Sequence, residues 1–147
     1  MTMSLIPRST DIKPENILLD GQNAIRLCDF GMTKFLDEAE NDVCQIAGTT
    51  EYCAPEQIQF DPLTPAADMW SVGCCTYVLL SKISPFRRDE LHETQNAVIQ
   101  ADYDFDDEVW STRSNEAIDF IKKLLQKSPR VSRATLILCL VIKDTCV

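Results

Sequence analysis

The stretch Asp11–Gly31, DIKPENILLDGQNAIRLCDFG, carries two groups of residues able to do chemistry. The first is Asp11-Ile12-Lys13-Pro14-Glu15-Asn16 and the second is Asp29-Phe30-Gly31. Carboxylates and an amide oxygen are hard ligands. They suit Mg²⁺, which keeps several waters and completes its shell with phosphate oxygens. For the two groups to act together something must fold them onto one point. Ile17-Leu18-Leu19 and Ile25-Arg26-Leu27-Cys28 read as short strands around the turn-forming Asp20-Gly21-Gln22-Asn23, which predicts a β-hairpin. That hairpin brings Asn16, just before one strand, close to Asp29, just after the other. A purely structural hairpin with surface acids is the competing reading.

The remaining elements would have to support this hairpin. Residues 67–81, ADMWSVGCCTYVLLS, are apolar nearly all round, which predicts a helix buried in a core. Asp68 falls in its first turn, where a carboxylate is favoured by the helix dipole and serves as a cap. Ser84-Pro85-Phe86 stops that region. Leu91–Ala101 reads as an amphipathic helix. Ser114–Lys127 reads as a stronger one, with Ala117, Ile118, Ile121, Leu124 and Leu125 on one face and Ser114 as cap. Pro55-Glu56-Gln57 is a good helix start. Met32–Thr50, polar and acidic, reads as a mobile surface loop. Residues 1–10 show no clear period, and residues 136–147 mix strand-like and helical character.

Composition narrows the class. A hydrophobic share of 45% with 25% charged residues fits one soluble globular domain in 147 residues. The net charge of −9 argues against non-specific nucleic-acid binding and favours basic partners. Seven cysteines without a C-x-x-C pair, beside the single His92, argue against zinc and against a disulfide framework. A reduced intracellular location, cytoplasmic or nuclear, is expected. The longest apolar tract, Leu136–Ile142, is far too short to span a membrane.

Taken in order, D-I-K-P-E-N, D-F-G and Ala54-Pro55-Glu56 resemble the catalytic domain of protein kinases. D-x-W-S-x-G at Asp68, Trp70, Ser71 and Gly73, and K-S-P-x-x-S-R-A-T around Arg133, extend the resemblance over residues 11–135. Details of SVGCCTYVLLSKISPF and SNEAIDFIKKLLQKSP resemble the calcium/calmodulin-dependent group, and within it the death-associated kinase branch. The resemblance implies a mainly α (α+β) fold, the C-terminal lobe of a kinase with a short β-hairpin. It implies transfer of the γ-phosphoryl of ATP to Ser or Thr, with Mg²⁺ as cofactor. Asp11 would be the catalytic base and Lys13 would steady the γ-phosphate. Asn16 and Asp29 would hold the metal, and Gly31 would let the loop turn. Glu15 would attract a basic residue of a peptide substrate. Tyr52 and Ala54 would line the floor of the substrate site, with Thr49 reaching back to Asp11 and Lys13. Asp68 would hold the backbone of the catalytic loop, and Glu56 would pair with Arg133. The family commonly has Gly where Lys82 stands.

The sequence also departs from the family pattern. It contains no G-x-G-x-x-G and no V-A-I-K-type lysine, and Ser9-Thr10 stand where a His-Arg-type dipeptide is usual. Between Lys34 and Ala47 there is no Ser, Thr or Tyr, which excludes switching by phosphorylation there. The expected organisation is an unrelated segment over 1–10, a partial kinase domain without its small lobe over 11–135, and a divergent tail over 136–147. Three readings stay open. They are a kinase whose native form is longer, a non-catalytic kinase-like module binding peptides or another kinase, and a non-functional shortened product. The end Thr145-Cys146-Val147 also resembles a PDZ-binding terminus.

Overall fold

The computed structural model describes residues 6–8, 11–31, 34–36, 49–62, 64 and 66–127, with the backbone alone for 6–8 and 34–36. The expected hairpin is present. Strands β2 (Ile17–Leu19) and β3 (Ile25–Leu27) pair antiparallel, with Ile17 opposite Leu27. Its turn is held by Asp20, whose Oδ1 accepts from the amides of Gln22 and Ala24, each at 2.9 Å. These bonds, more than the neighbouring Arg26, draw the Asp20 carboxyl below its usual range. Asn23 takes the left-handed backbone, φ 61°, which asparagine tolerates better than most residues. A second pair was not legible in the sequence. Strand β1 (Ile6–Arg8) lies antiparallel to β4 (Lys34–Leu36), with Pro7 opposite Phe35. Part of the segment expected to be a loop is therefore a strand. Three-residue strands are too short to show the alternation that marks a strand.

Among the described residues four α-helices follow. Helix α1 (Pro55–Ile58) begins at a proline, and the Gln57 side chain accepts from the Ala54 amide at 2.7 Å. Helix α2 (Ala66–Ser81) is the core element, burying Met69, Trp70, Cys74, Cys75 and Tyr77 among others. Trp70 stacks on the fully buried Phe86 at 5.3 Å between ring centroids. Tyr77 meets Trp110 at 4.6 Å and Phe105 at 5.6 Å, and its hydroxyl donates to the Asp104 carbonyl. Helix α3 (Leu91–Gln100) ends at Ala101, which turns left-handed with φ 49°. Helix α4 (Asn115–Leu124) is capped by Ser114, whose Oγ accepts from the Ala117 amide at 3.2 Å. It stops short of the expected Lys127 because Leu125 leaves the helical backbone, yet Leu125 remains buried. The expected face of α4 is the one that packs, with Ile121 fully buried.

Helices α2 and α4 cross at Gly73. A Cβ there would come within 2.8 Å of Leu125 Cδ2 and 2.9 Å of Leu124 Cβ. The glycine is thus required by close approach rather than by its own backbone angles. The hairpin and the helices leave apolar side chains in solvent. Leu19 is 67% exposed, Ile25 56% and Leu79 65%. Among the described residues no helix is long and apolar enough to cross a membrane.

Candidate active site

Asp11, Lys13 and Asn16 meet at the mouth of the hairpin, and Asp29 is near enough for its charge to act on Lys13. Pro14–Asn16 form a 3-10 turn that carries Asn16 into strand β2. The Cys28 amide donates to the Asn16 carbonyl at 2.9 Å, which extends the pairing by one step and puts Asp29 directly beyond it. Asn16 is buried, and its Nδ2 donates to both the carbonyl and the Oδ2 of Asp11, at 2.9 and 3.1 Å. Spending both N–H donors inward leaves the amide oxygen Oδ1 as the group available to a cation. Lys13 Nζ lies 2.6 Å from the same Asp11 oxygen. That hydrogen bond, with the negative fields of Asp11, Glu15 and Asp29, raises the Lys13 ammonium above its usual range and keeps it charged.

Asp29 is exposed and adopts the left-handed backbone, φ 62°. Its Oδ1 accepts from the Gly31 amide at 3.3 Å. Gly31 is a turn residue, as expected, while the left-handed residue before it is Asp29. What Gly31 supplies is room, because a Cβ on it would stand 3.2 Å from the Asp29 carboxylate oxygen. The donor set of Asn16 and Asp29 consists of hard oxygens and fits Mg²⁺ better than a transition metal.

A second 3-10 turn, Thr50–Tyr52, lies within reach of the Glu15 charge. Tyr52 is half-buried, and its phenol is pushed up to about 12 by burial first and by the Glu15 carboxylate second. Glu15 is exposed beside it. Ala54 is fully buried. Thr49 lies at the start of this turn. It is exposed and makes no hydrogen bond to Asp11 or Lys13, while its carbonyl accepts from the Tyr52 amide and the Cys53 thiol. Asp11 and Lys13 already satisfy each other, and the backbone of Thr49 is committed to starting the turn.

Asp68 stands half-buried in the first turn of α2. Glu56 lies in α1 with its Oε1 shielded from solvent. The expected partner Arg133 and the terminal Thr145-Cys146-Val147 lie outside the described residues. Two contacts were missed by sequence reasoning. Ser71 Oγ donates to the Tyr52 carbonyl at 2.8 Å, and the Cys75 thiol lies 3.8 Å from the Ile12 carbonyl. The available signal was their spacing of four, which puts both on one side of α2.

Comparison with known proteins gives the family. The protein kinase domain family matches residues 9–142. Serine/threonine-protein kinase 17A of Oryctolagus cuniculus is 44% identical over 133 residues, covering 88% of this chain and 33% of that protein. Death-associated protein kinase 2 of Homo sapiens is 44% identical over 124 residues, covering 82% of this chain and 33% of that protein. Among solved structures, the twitchin kinase region from C. elegans superposes with a TM-score of 0.75 at 37% identity, covering 84% of this chain and 22% of the other. The chain therefore spans about a third of the length of the first two relatives. With its mainly helical architecture, its hairpin and its Asp-Lys-Asn cluster in place, the chain belongs to the protein kinase domain family.

Proposed function

We propose that this chain carries the large-lobe share of a Ser/Thr protein kinase site. The observation that carries this reading is the meeting of Lys13 and Asn16 on one oxygen of Asp11, at 2.6 and 3.1 Å, beside the hairpin that presents Asp29. With Oδ2 engaged, Asp11 keeps Oδ1 to accept the proton of a substrate hydroxyl. Lys13, held protonated, would lie against the transferred phosphoryl group. Asn16 Oδ1 and Asp29 would hold Mg²⁺, which neutralises charge on the phosphate oxygens of ATP when bound. Glu15, beside Tyr52, would take a basic residue of the peptide. The relatives named as serine/threonine and death-associated kinases support the choice of a hydroxyl acceptor. Asp68 is assigned to the catalytic-loop backbone and Glu56 to Arg133.

A polypeptide of these 147 residues should nevertheless turn over below detection. Its sequence holds neither a glycine-rich phosphate loop nor the family's ATP-binding lysine. Removing one preorganised electrostatic donor costs about 10²–10³ in rate, and here several are absent together. The experiment is a radiolabelled γ-phosphate assay with a basic Ser peptide on two proteins. One is this polypeptide, and the other is a fusion that places a kinase small lobe before Asp11. We expect activity in the fusion alone, lost by at least about 10³-fold in Asp11→Asn. A fusion indifferent to Asp11→Asn overturns the assignment. A second reading is a non-catalytic peptide-binding module, supported by the exposed Glu15 beside Tyr52. Nucleotide-independent binding of the basic peptide, weakened by Glu15→Gln, together with an inactive fusion would select it.

A further inference from the structure

The two walls of the proposed site are irregular backbone. One is the Asp11–Asn16 loop, the other the Thr49–Cys53 turn. Each contains a carbonyl to which no described backbone amide donates, that of Ile12 and that of Tyr52. Ile12 is only 4% exposed, so its carbonyl is shut off from most of the water that would otherwise satisfy it. Helix α2 supplies both missing donors from side chains one turn apart. The Ser71 hydroxyl, 6% exposed, lies 2.8 Å from the Tyr52 oxygen, and the Cys75 thiol, 3% exposed, lies 3.8 Å from the Ile12 oxygen. The sequence separations bridged are 19 and 63 residues.

We infer that Ser71 and Cys75 are positioning residues that hold the substrate-side turn and the Asp11 loop at a spacing set by one turn of α2, about 6 Å of helix rise. The inference rests on the proposed function for what the two walls enclose, but not for the clamp itself. Serine contributes the stronger bond. A thiol is a weak donor and is useful here because it also packs as a small apolar group in the core. It remains a donor at any ordinary pH, since burial, ahead of the Glu15 charge, pushes Cys75 up to about 12. Ser71 has a second acceptor, the Ala67 carbonyl in its own helix at 3.3 Å. Loss of the Tyr52 bond would therefore release the turn without stranding the hydroxyl. Among the described residues Cys75 has no second acceptor, so the thiol and the loop stand or fall together.

The test uses the full 147-residue chain and amide hydrogen exchange, which needs no ligand. The reporters are the Asn16 amide, bonded to the Lys13 carbonyl, the Tyr52 amide, bonded to the Thr49 carbonyl, and the amide of the buried Val98 in α3 as reference. Cys75→Val removes the donor and keeps the site filled with an apolar group one methyl larger. It should speed exchange at Asn16 about threefold to tenfold, the loss of one buried hydrogen bond, and leave Tyr52 and Val98 unchanged. Cys75→Ser restores a donor and should bring Asn16 back to within about twofold of the parent. Ser71→Ala should speed Tyr52 and spare Asn16. Cys75→Ala repeats the first measurement should the valine variant not fold. Equal acceleration at Asn16, Tyr52 and Val98 would mean a general loss of stability and overturn the inference, as would an unaltered Asn16. Peptide binding measured on the same proteins reports on the substrate reading separately. Its absence with the exchange pattern intact leaves the clamp standing.

Discussion

At the scale of single residues, backbone geometry identifies where this chain stores strain. Lys82 follows α2 with φ 64°, a region costly for a residue with a Cβ, at the position where the sequence resemblance expects glycine. Its side chain is exposed, so a substitution there acts through the backbone. Lys82→Gly should raise stability by about 1 kcal/mol, read from the midpoint of urea unfolding with an unchanged slope. A lower midpoint would show that the lysine side chain contributes more than its conformation costs. Asp29 takes the same backbone at φ 62°, which aspartate tolerates better than lysine, and there it lies in the proposed metal site. Gly31→Ala should push on the Asp29 carboxylate through the 3.2 Å contact and weaken Mg²⁺ binding, while stability changes little because the loop is exposed. Calorimetric titration of Mg²⁺ with nucleotide into the small-lobe fusion checks this, and unaltered affinity would remove Gly31 from the site.

At the scale of elements, the crossing of α2 and α4 decides how the core closes. Gly73→Ala would gain about 1 kcal/mol of helix propensity. Against that, its Cβ would stand within 3 Å of the side chains of both Leu124 and Leu125. Overpacking of that kind costs about 1–3 kcal/mol, so the net effect should be destabilising. Denaturant unfolding of Gly73→Ala beside the cap variant Ser114→Ala tests whether the crossing or the cap limits α4. The cap should cost about 1 kcal/mol. Were Gly73→Ala to stabilise, α4 would have room to shift and the crossing would not be fixed by glycine. Glu56 in α1 poses a related question. If Arg133 is its partner, as proposed, Glu56→Gln should cost about 3–5 kcal/mol, and a double substitution with Arg133→Met should recover most of it.

At the scale of the molecule, the tyrosines supply a pH prediction. Burial is the first cause in Tyr52, Tyr77 and Tyr103, and it raises all three phenols above their ordinary value of 10. A group whose pKa is higher in the folded state stabilises it fully below the unfolded value and loses that contribution as pH rises through the folded value. Stability should therefore fall between pH 10 and about 12, the value reached by Tyr52. The phenolate absorbance of the native chain should titrate later than in guanidinium, and coincident curves would contradict the burial. Exposed Leu18, Leu19 and Ile25 on the hairpin, with Leu79 and Ile83 at the end of α2, should make the isolated polypeptide bind an apolar dye. A purified monomer without dye binding would show these side chains to be covered.

What the sequence determined by itself was local. The hairpin between Asn16 and Asp29, the cap at Ser114, the proline start at Pro55 and the packed face of α4 each depend on residues a few positions apart. Periodicity and capping report such neighbours directly. The ordered motifs DIKPEN, DFG and APE carried the family in the same way. Only the tertiary structure decided that Asn16 turns its nitrogen toward Asp11. It also decided that β1 pairs with β4, and that Ser71 and Cys75 reach carbonyls 19 and 63 residues away. Those outcomes depend on which buried polar groups would be left without partners once the chain is packed. That demand does not exist until distant segments are brought together, so no local pattern records it.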